Sequence, residues 1–200
     1  MTNENRKPKR IAIFASGKGS NAQKIIDYFR GSGEIEVALI VSNKSDAGVL
    51  EIARKEAIPS LILDKHSFFQ GDSYPDFLKE KEIDFIVLAG FLWKMPSSLI
   101  KSFPQRMVNI HPALLPKFGG KGMYGARVHE AVLAAKEKES GITIHYVDEI
   151  YDHGQIIFQT KCPVSPGDNP DSLAEKIHSL EYAWYPKTIE KLLQNIVKRS

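Results

Sequence analysis

The chain has 200 residues, 42% of them hydrophobic and 26% charged, and a formal net charge of +3. That is long enough for one domain with a buried core (residues 1–200), and the balance excludes a disordered or strongly nucleic-acid-like composition. One cysteine, Cys162, excludes an intramolecular disulfide. No apolar run approaches the ~18 residues of a membrane span and no signal-peptide core opens the chain, so a cytoplasmic protein without membrane or nucleic-acid partners is expected.

Arg6-Lys7-Pro8-Lys9-Arg10 is the one basic cluster, and residues 1–9 are read as a flexible, solvated tail. Ile11-Ala12-Ile13-Phe14-Ala15 then forms a continuous apolar run, the pattern of a strand buried on both faces of a parallel sheet. A helix is predicted from Asn21, with Ala22, Ile25, Ile26 and Phe29 on one face and Ser20 and Gln23 as a capping box. Strands follow at 37–41, 60–63, 85–89 and 106–110, with helices at 47–56 and 74–81. Beyond a proline-punctuated loop, 126–138 reads as helix, 142–147 and 155–163 as strands, and a long helix starts at Asp171, kinked at Pro186. This order predicts an α/β fold: a doubly wound, mostly parallel Rossmann-like sheet with a late antiparallel portion and helices on both faces.

Ligands of such sheets bind beyond the carboxyl ends of the strands, which directs attention to the loops starting at Ser16, Ser42, Gly90, His111 and Asp148. Ser16-Gly17-Lys18-Gly19-Ser20-Asn21 leads into a helix N-terminus and suits a phosphate. A dinucleotide reading needs an acid after the second strand, where Ser42-Asn43-Lys44 stands instead; a bare tight turn is the remaining alternative. Gly90-Phe91-Leu92-Trp93-Lys94-Met95 either packs beneath the next helix or walls a pocket for a flat ring. Asn109 and His111 alternate onto one strand face, either as structural polar groups or as a pair that needs a carboxylate partner; the acidic hairpin loop 148–154 is either that partner or a solvated turn. His129-Glu130 begins like a zinc motif, but Leu133 holds the place of its second histidine, and no metal is expected.

Together, Gly17-Lys18-Gly19-Ser20-Asn21, Leu88-Ala89-Gly90-Phe91, Asn109-Ile110-His111-Pro112, Leu114-Leu115-Pro116-Lys117 and Asp152-His153-Gly154 resemble the formyltetrahydrofolate-dependent formyltransferase family, in its glycinamide ribonucleotide branch. The resemblance implies an enzyme that moves a formyl group from 10-formyltetrahydrofolate to the amine of glycinamide ribonucleotide in purine biosynthesis, as a monomer or homodimer. It implies that Gly19, Ser20 and Asn21 hold the phosphate and Glu181 the glycinamide end. Leu92, Trp93, Lys94 and Met95 would line the folate pocket with Asn109, and Asn109, His111 and Asp152 would be catalytic. A methionyl-tRNA formyltransferase would add a C-terminal domain, and a formyltetrahydrofolate deformylase an N-terminal one; neither is expected. The chain departs from the pattern in the long loop 118–125, in His153 and Gln155, and in lacking a basic folate contact near Gly71.

Overall fold

Residues 7–71 and 73–197 are described by a computed structural model. Strand β1 (Lys9–Phe14) is followed by α1 (Ser20–Phe29), β2 (Ile35–Ser42), α2 (Gly48–Lys55) and β3 (Ser60–Ile62). Two short helices, α3 (Lys65–Gln70) and α4 (Ser73–Glu80), lead to β4 (Phe85–Leu88), and α5 (Ser97–Ser102) leads to β5 (Met107–His111). The chain ends with α6 (Ala126–Ala134), the hairpin β6 (Glu139–Tyr146) and β7 (Ile156–Pro163), and α7 (Pro170–Val197).

All seven strands form one sheet in the order β3-β2-β1-β4-β5-β6-β7. The pairs from β3 to β5 are parallel, and β6 and β7 are each antiparallel to the strand before. Both faces are covered, which explains the unbroken apolar runs of β1 and β4. On one face Ile11, Ile13, Phe85 and Val87 pack with Ala22 and Ile25 of α1 and with Leu173, Ile177 and Tyr185 of α7. On the other, Ala12, Phe14, Ile86 and Leu88 pack with Phe68 of α3, Leu78 of α4 and Leu99 of α5. Tyr185 is fully enclosed, and its hydroxyl donates to the carbonyl oxygens of Leu88 (2.8 Å) and Val108 (3.3 Å), which ties α7 to the middle of the sheet.

Several expectations are corrected. Lys9 is a strand residue paired with Ile35, so the ordered sheet begins inside the span read as tail; residues 1–6 lie outside the described part. Its charged side chain is tolerated because it sits at the solvated end of the strand, 3.6 Å from Asp84. Ser20 does not cap α1: Gly19 is the N-cap, in the left-handed region at φ 81°, and Ser20 is the first helical residue. Gln23 turns instead to Asp27 and Glu56. Helices α3 and α5 escape a periodicity reading because six residues make fewer than two turns; α3 is announced only by Asp64, whose Oδ1 accepts from the Ser67 amide at 2.8 Å. Helix α6 stops at Ala134, short of the expected 138, whereas α7 runs past Pro186 to Val197 as expected.

Candidate active site

The strand order reverses direction between β1 and β4, and the loops leaving these two strands lie side by side. Ser16 joins them: its amide donates to the Gly90 carbonyl oxygen (3.1 Å), and its hydroxyl accepts from the Leu92 amide (2.9 Å) while donating to Asn43 Oδ1 (2.6 Å). Asn43, at the end of β2, is therefore committed to holding the loops together rather than to a ribose. Beyond these strand ends opens a cleft of about 750 Å³.

The first loop forms one end of the cleft. A Cβ on Gly19 would come within 2.8 Å of Val49 Cβ, and its φ is left-handed, so only glycine lets α1 start this close to α2. No side chain caps α1, and Ser20 and Asn21 line the cleft at its first turn. Free amide hydrogens there, with the positive end of the helix dipole, favour an anion. Asn21 Nδ2 donates to Glu181 Oε2 at 2.9 Å. Glu181, on α7, is buried (5% exposed) and also accepts from His178 Nδ1 at 2.9 Å; this bond holds the His178 pKa above its ordinary value.

Asn109, His111, His145 and Asp152 form a closed cluster. In the β5–β6 ladder Asn109 lies opposite His145. His145 Nδ1 donates to the Tyr146 carbonyl oxygen (2.8 Å), which leaves Nε2 bare to accept from Asn109 Nδ2 (3.2 Å). The second Asn109 hydrogen goes to Asp152 Oδ1 (3.3 Å). His111 Nε2 donates to the Phe118 carbonyl oxygen (2.7 Å), and its Nδ1 lies 3.4 Å from Asp152 Oδ2, which also accepts from the Gly120 amide at 2.9 Å.

The charges in this cluster follow from burial and contact. Burial pulls the His111 pKa down; the Asp152 charge and the Phe118 bond oppose it, and the net is below an ordinary imidazole. Burial pushes Asp152 up, but the imidazoles of His145 and His111 beside it and the Gly120 amide outweigh it, so Asp152 stays below the usual carboxylate value. A buried carboxylate thus lies against two imidazoles.

Backbone geometry puts Asp152 there. It lies at φ 55°, a left-handed conformation that aspartate tolerates better than most residues. Asp148 braces the turn, its carboxylate accepting from the Ile150 amide and from His153 Nδ1, each at 2.8 Å. A Cβ on Gly154 would collide with the Tyr146 carbonyl oxygen, which explains the glycine two residues after the acid. The loop after β5 is pinned similarly: Thr143 Oγ1 donates to the Ala113 carbonyl oxygen (2.7 Å) and accepts from the Leu115 amide (3.0 Å).

The apolar loop is partly core and partly cleft wall. Phe91 and Met95 are buried, Phe91 edge-to-face with Phe14 at 5.4 Å, whereas Leu92 and Lys94 are exposed. Trp93 packs against Phe68 (5.5 Å) and Phe69 (5.3 Å). This alternation anchors the loop in the core while Leu92, Trp93, Lys94 and Met95 still line the cleft.

Every side chain singled out from the sequence lines this one cleft: Gly19, Ser20 and Asn21, the loop 92–95, Asn109 with His111, Asp152 and Glu181. Three histidines were missed as site residues. His145 had a signal, since it and Thr143 alternate with Ile142 and Ile144 in a strand adjoining Asn109. His178 lies one turn before Glu181, and His129 was weighed only as a metal ligand. Among the described residues, no group of three or more His, Cys, Asp or Glu side chains could hold a metal ion, and no helix is long and apolar enough to cross a membrane.

Comparison with known proteins gives a consistent result. Residues 9–189 match the formyl transferase family. The chain is 41% identical to the chloroplastic phosphoribosylglycinamide formyltransferase of Arabidopsis thaliana over 95% of its length and 67% of that protein's. It is 34% identical to the phosphoribosylglycinamide formyltransferase of Bacillus subtilis, covering 92% of this chain and 95% of the relative. The crystal structure of phosphoribosylglycinamide formyltransferase from Bacillus halodurans superposes with a TM-score of 0.82 at 40% identity, covering 92% of this chain and 95% of that one. The chain spans about two thirds of the length of the plant relatives it matches. With its sheet order, its strand-end cleft and a match over nearly all of its residues, the chain belongs to the formyl transferase family.

Proposed function

We propose that this formyltransferase moves the formyl group of 10-formyltetrahydrofolate onto the amine of phosphoribosylglycinamide, a step of purine biosynthesis in the cytoplasm. The observation that carries the reading is one cleft holding three compatible parts: a helix N-terminus suited to a phosphate, an apolar wall suited to a flat ring, and the Asn109–His111–Asp152 cluster. The relatives' names agree with it.

The amine nitrogen attacks the formyl carbon; a C–N bond forms and the carbonyl π pair moves to oxygen. Asn109 and His111 are the donors for that oxyanion. Both are spent on protein acceptors in the structure, so the oxyanion takes over one of these bonds; losing such a donor typically costs about 3 kcal/mol. Ionised Asp152, 3.4 Å from His111, receives the proton the amine sheds, directly or through a water. That proton passes to the folate nitrogen as its bond to the formyl carbon breaks and the carbonyl re-forms, so Asp152 is ionised again when formylated ribonucleotide and tetrahydrofolate leave. Glu181, fixed by Asn21 and His178, orients the glycinamide end. No step calls for a metal.

The reading is tested by mixing the protein with both substrates and following deformylated folate by absorbance. Turnover that requires the ribonucleotide and survives a chelator is expected; turnover without the ribonucleotide, or none, would refute it.

A further inference from the structure

One group in the cleft has no place in the chemistry above. His129, on α6, is 3% exposed, and its Nδ1 is buried without a hydrogen-bond partner among the described residues. Its Nδ1 is fully enclosed, yet the residue lines the cleft, so the Nε2 edge is what the ring presents to the opening. An imidazole with an enclosed, unpaired nitrogen costs the fold, since an apolar side chain of similar size would occupy the same place without desolvating that atom.

The tautomer follows from the same accounting. A buried bare acceptor is tolerated more readily than a buried orphan N–H. Nδ1 is therefore the bare nitrogen, and Nε2 carries the hydrogen toward the cleft. Burial draws the His129 pKa below its ordinary value, and the positive His178 pulls in the same direction, so the ring offers a neutral donor. Glu181, His178 and His111 line the same cleft as His129, and their charges act on its ring.

We infer that His129 is a substrate-binding residue whose Nε2–H donates to an oxygen of the ribonucleotide lying between its phosphate and its amine, a ribose hydroxyl or the glycinamide carbonyl. The inference rests on the function proposed above. It gives a use to a histidine where an apolar side chain would suit the core better: the substrate is the partner of Nε2–H, and the enclosed, bare Nδ1 is the cost the fold carries for that donor.

Three proteins decide it: the unaltered chain, His129→Leu and His129→Gln. Affinity for phosphoribosylglycinamide is measured by calorimetry, KM for 10-formyltetrahydrofolate by turnover, and Tm by thermal melting. His129→Leu is expected to bind the ribonucleotide about tenfold more weakly, the worth of one lost hydrogen bond. Its KM for the folate should stay within about twofold, and its Tm should equal or exceed that of the unaltered chain. His129→Gln, which keeps a donor, should recover part of the affinity and covers the case of a leucine variant that fails to fold. Ribonucleotide affinity unchanged in both variants, or a fall in Tm with affinity retained, would overturn the inference and leave the function standing. An unaltered chain that binds no ribonucleotide would overturn both.

Discussion

The two halves of the cleft are finished to different degrees. Around Asp152, every hydrogen that Asn109, His111 and His145 place in the cluster already has an acceptor, and the carboxylate accepts from Asn109 and Gly120 and lies against the two imidazoles. In the other half, α1 has no side-chain cap and Nδ1 of His129 on α6 has no partner among the described residues. The difference separates two tasks. A reaction centre gains from donors and a base already oriented when charge develops, since reorganisation at that moment would cost rate. A binding site must leave groups unpaired so that the substrate completes them.

The sharpest way to break this contrast is to damage each half and see which kinetic constant responds. Asp152→Asn removes the base and the charge facing His111 while keeping the shape, and kcat should fall by ~10²–10⁴ with both KM values within a few fold. Steady-state kinetics check this; a mild fall would place the proton elsewhere. Glu181→Gln acts on the other half. It weakens the hold on Asn21 and His178, and KM for the ribonucleotide should rise about tenfold with KM for the folate unmoved. Leu92→Ala should act in the opposite sense, raising only KM for the folate, by about tenfold, the worth of a buried apolar contact. Equal changes in both KM values for either variant would erase the division.

Gly19→Ala probes the scaffold beneath the open half. It puts a side chain at a left-handed φ and against Val49, so Tm should drop by several degrees, for a cost of about 1–3 kcal/mol.

The smallest effect concerns pH. Glu181 holds His178 above its ordinary pKa of 6.5. The stability contributed by that pair is therefore complete below about pH 6.5 and disappears as pH rises through the raised value. The Tm difference between the unaltered chain and His178→Gln should be widest in that acidic range and narrow above it; a difference that widens with pH would give the pair the wrong sign.

These regions also differed in how readily the sequence announced them. The parallel half of the sheet was plain, because strands buried on both faces read as apolar runs, as in β1 and β4. The proposed reaction centre was legible because period-two alternation puts Asn109 and His111 on one face, and a resemblance supplied Asp152 from a distant hairpin. His145 was not seen because its partner lies on the neighbouring strand, and register across a sheet is a tertiary fact. The Ser20 cap failed for a local reason. A capping box and a left-handed glycine N-cap compete for the same turn, and the close packing of α2 on Gly19 settles it. His129 was visible only as half of a metal motif, since the absence of a partner cannot be read from residue order.

The most direct measurement is a single turnover of excess protein with 10-formyltetrahydrofolate labelled with ¹³C in the formyl group and phosphoribosylglycinamide, for the unaltered chain and Asp152→Asn. The account predicts that the unaltered chain moves the label onto the glycinamide amine, while Asp152→Asn binds both substrates and leaves the label on the folate over the same interval. Label released as free formate by the unaltered chain, or transferred by Asp152→Asn at an undiminished rate, would contradict it.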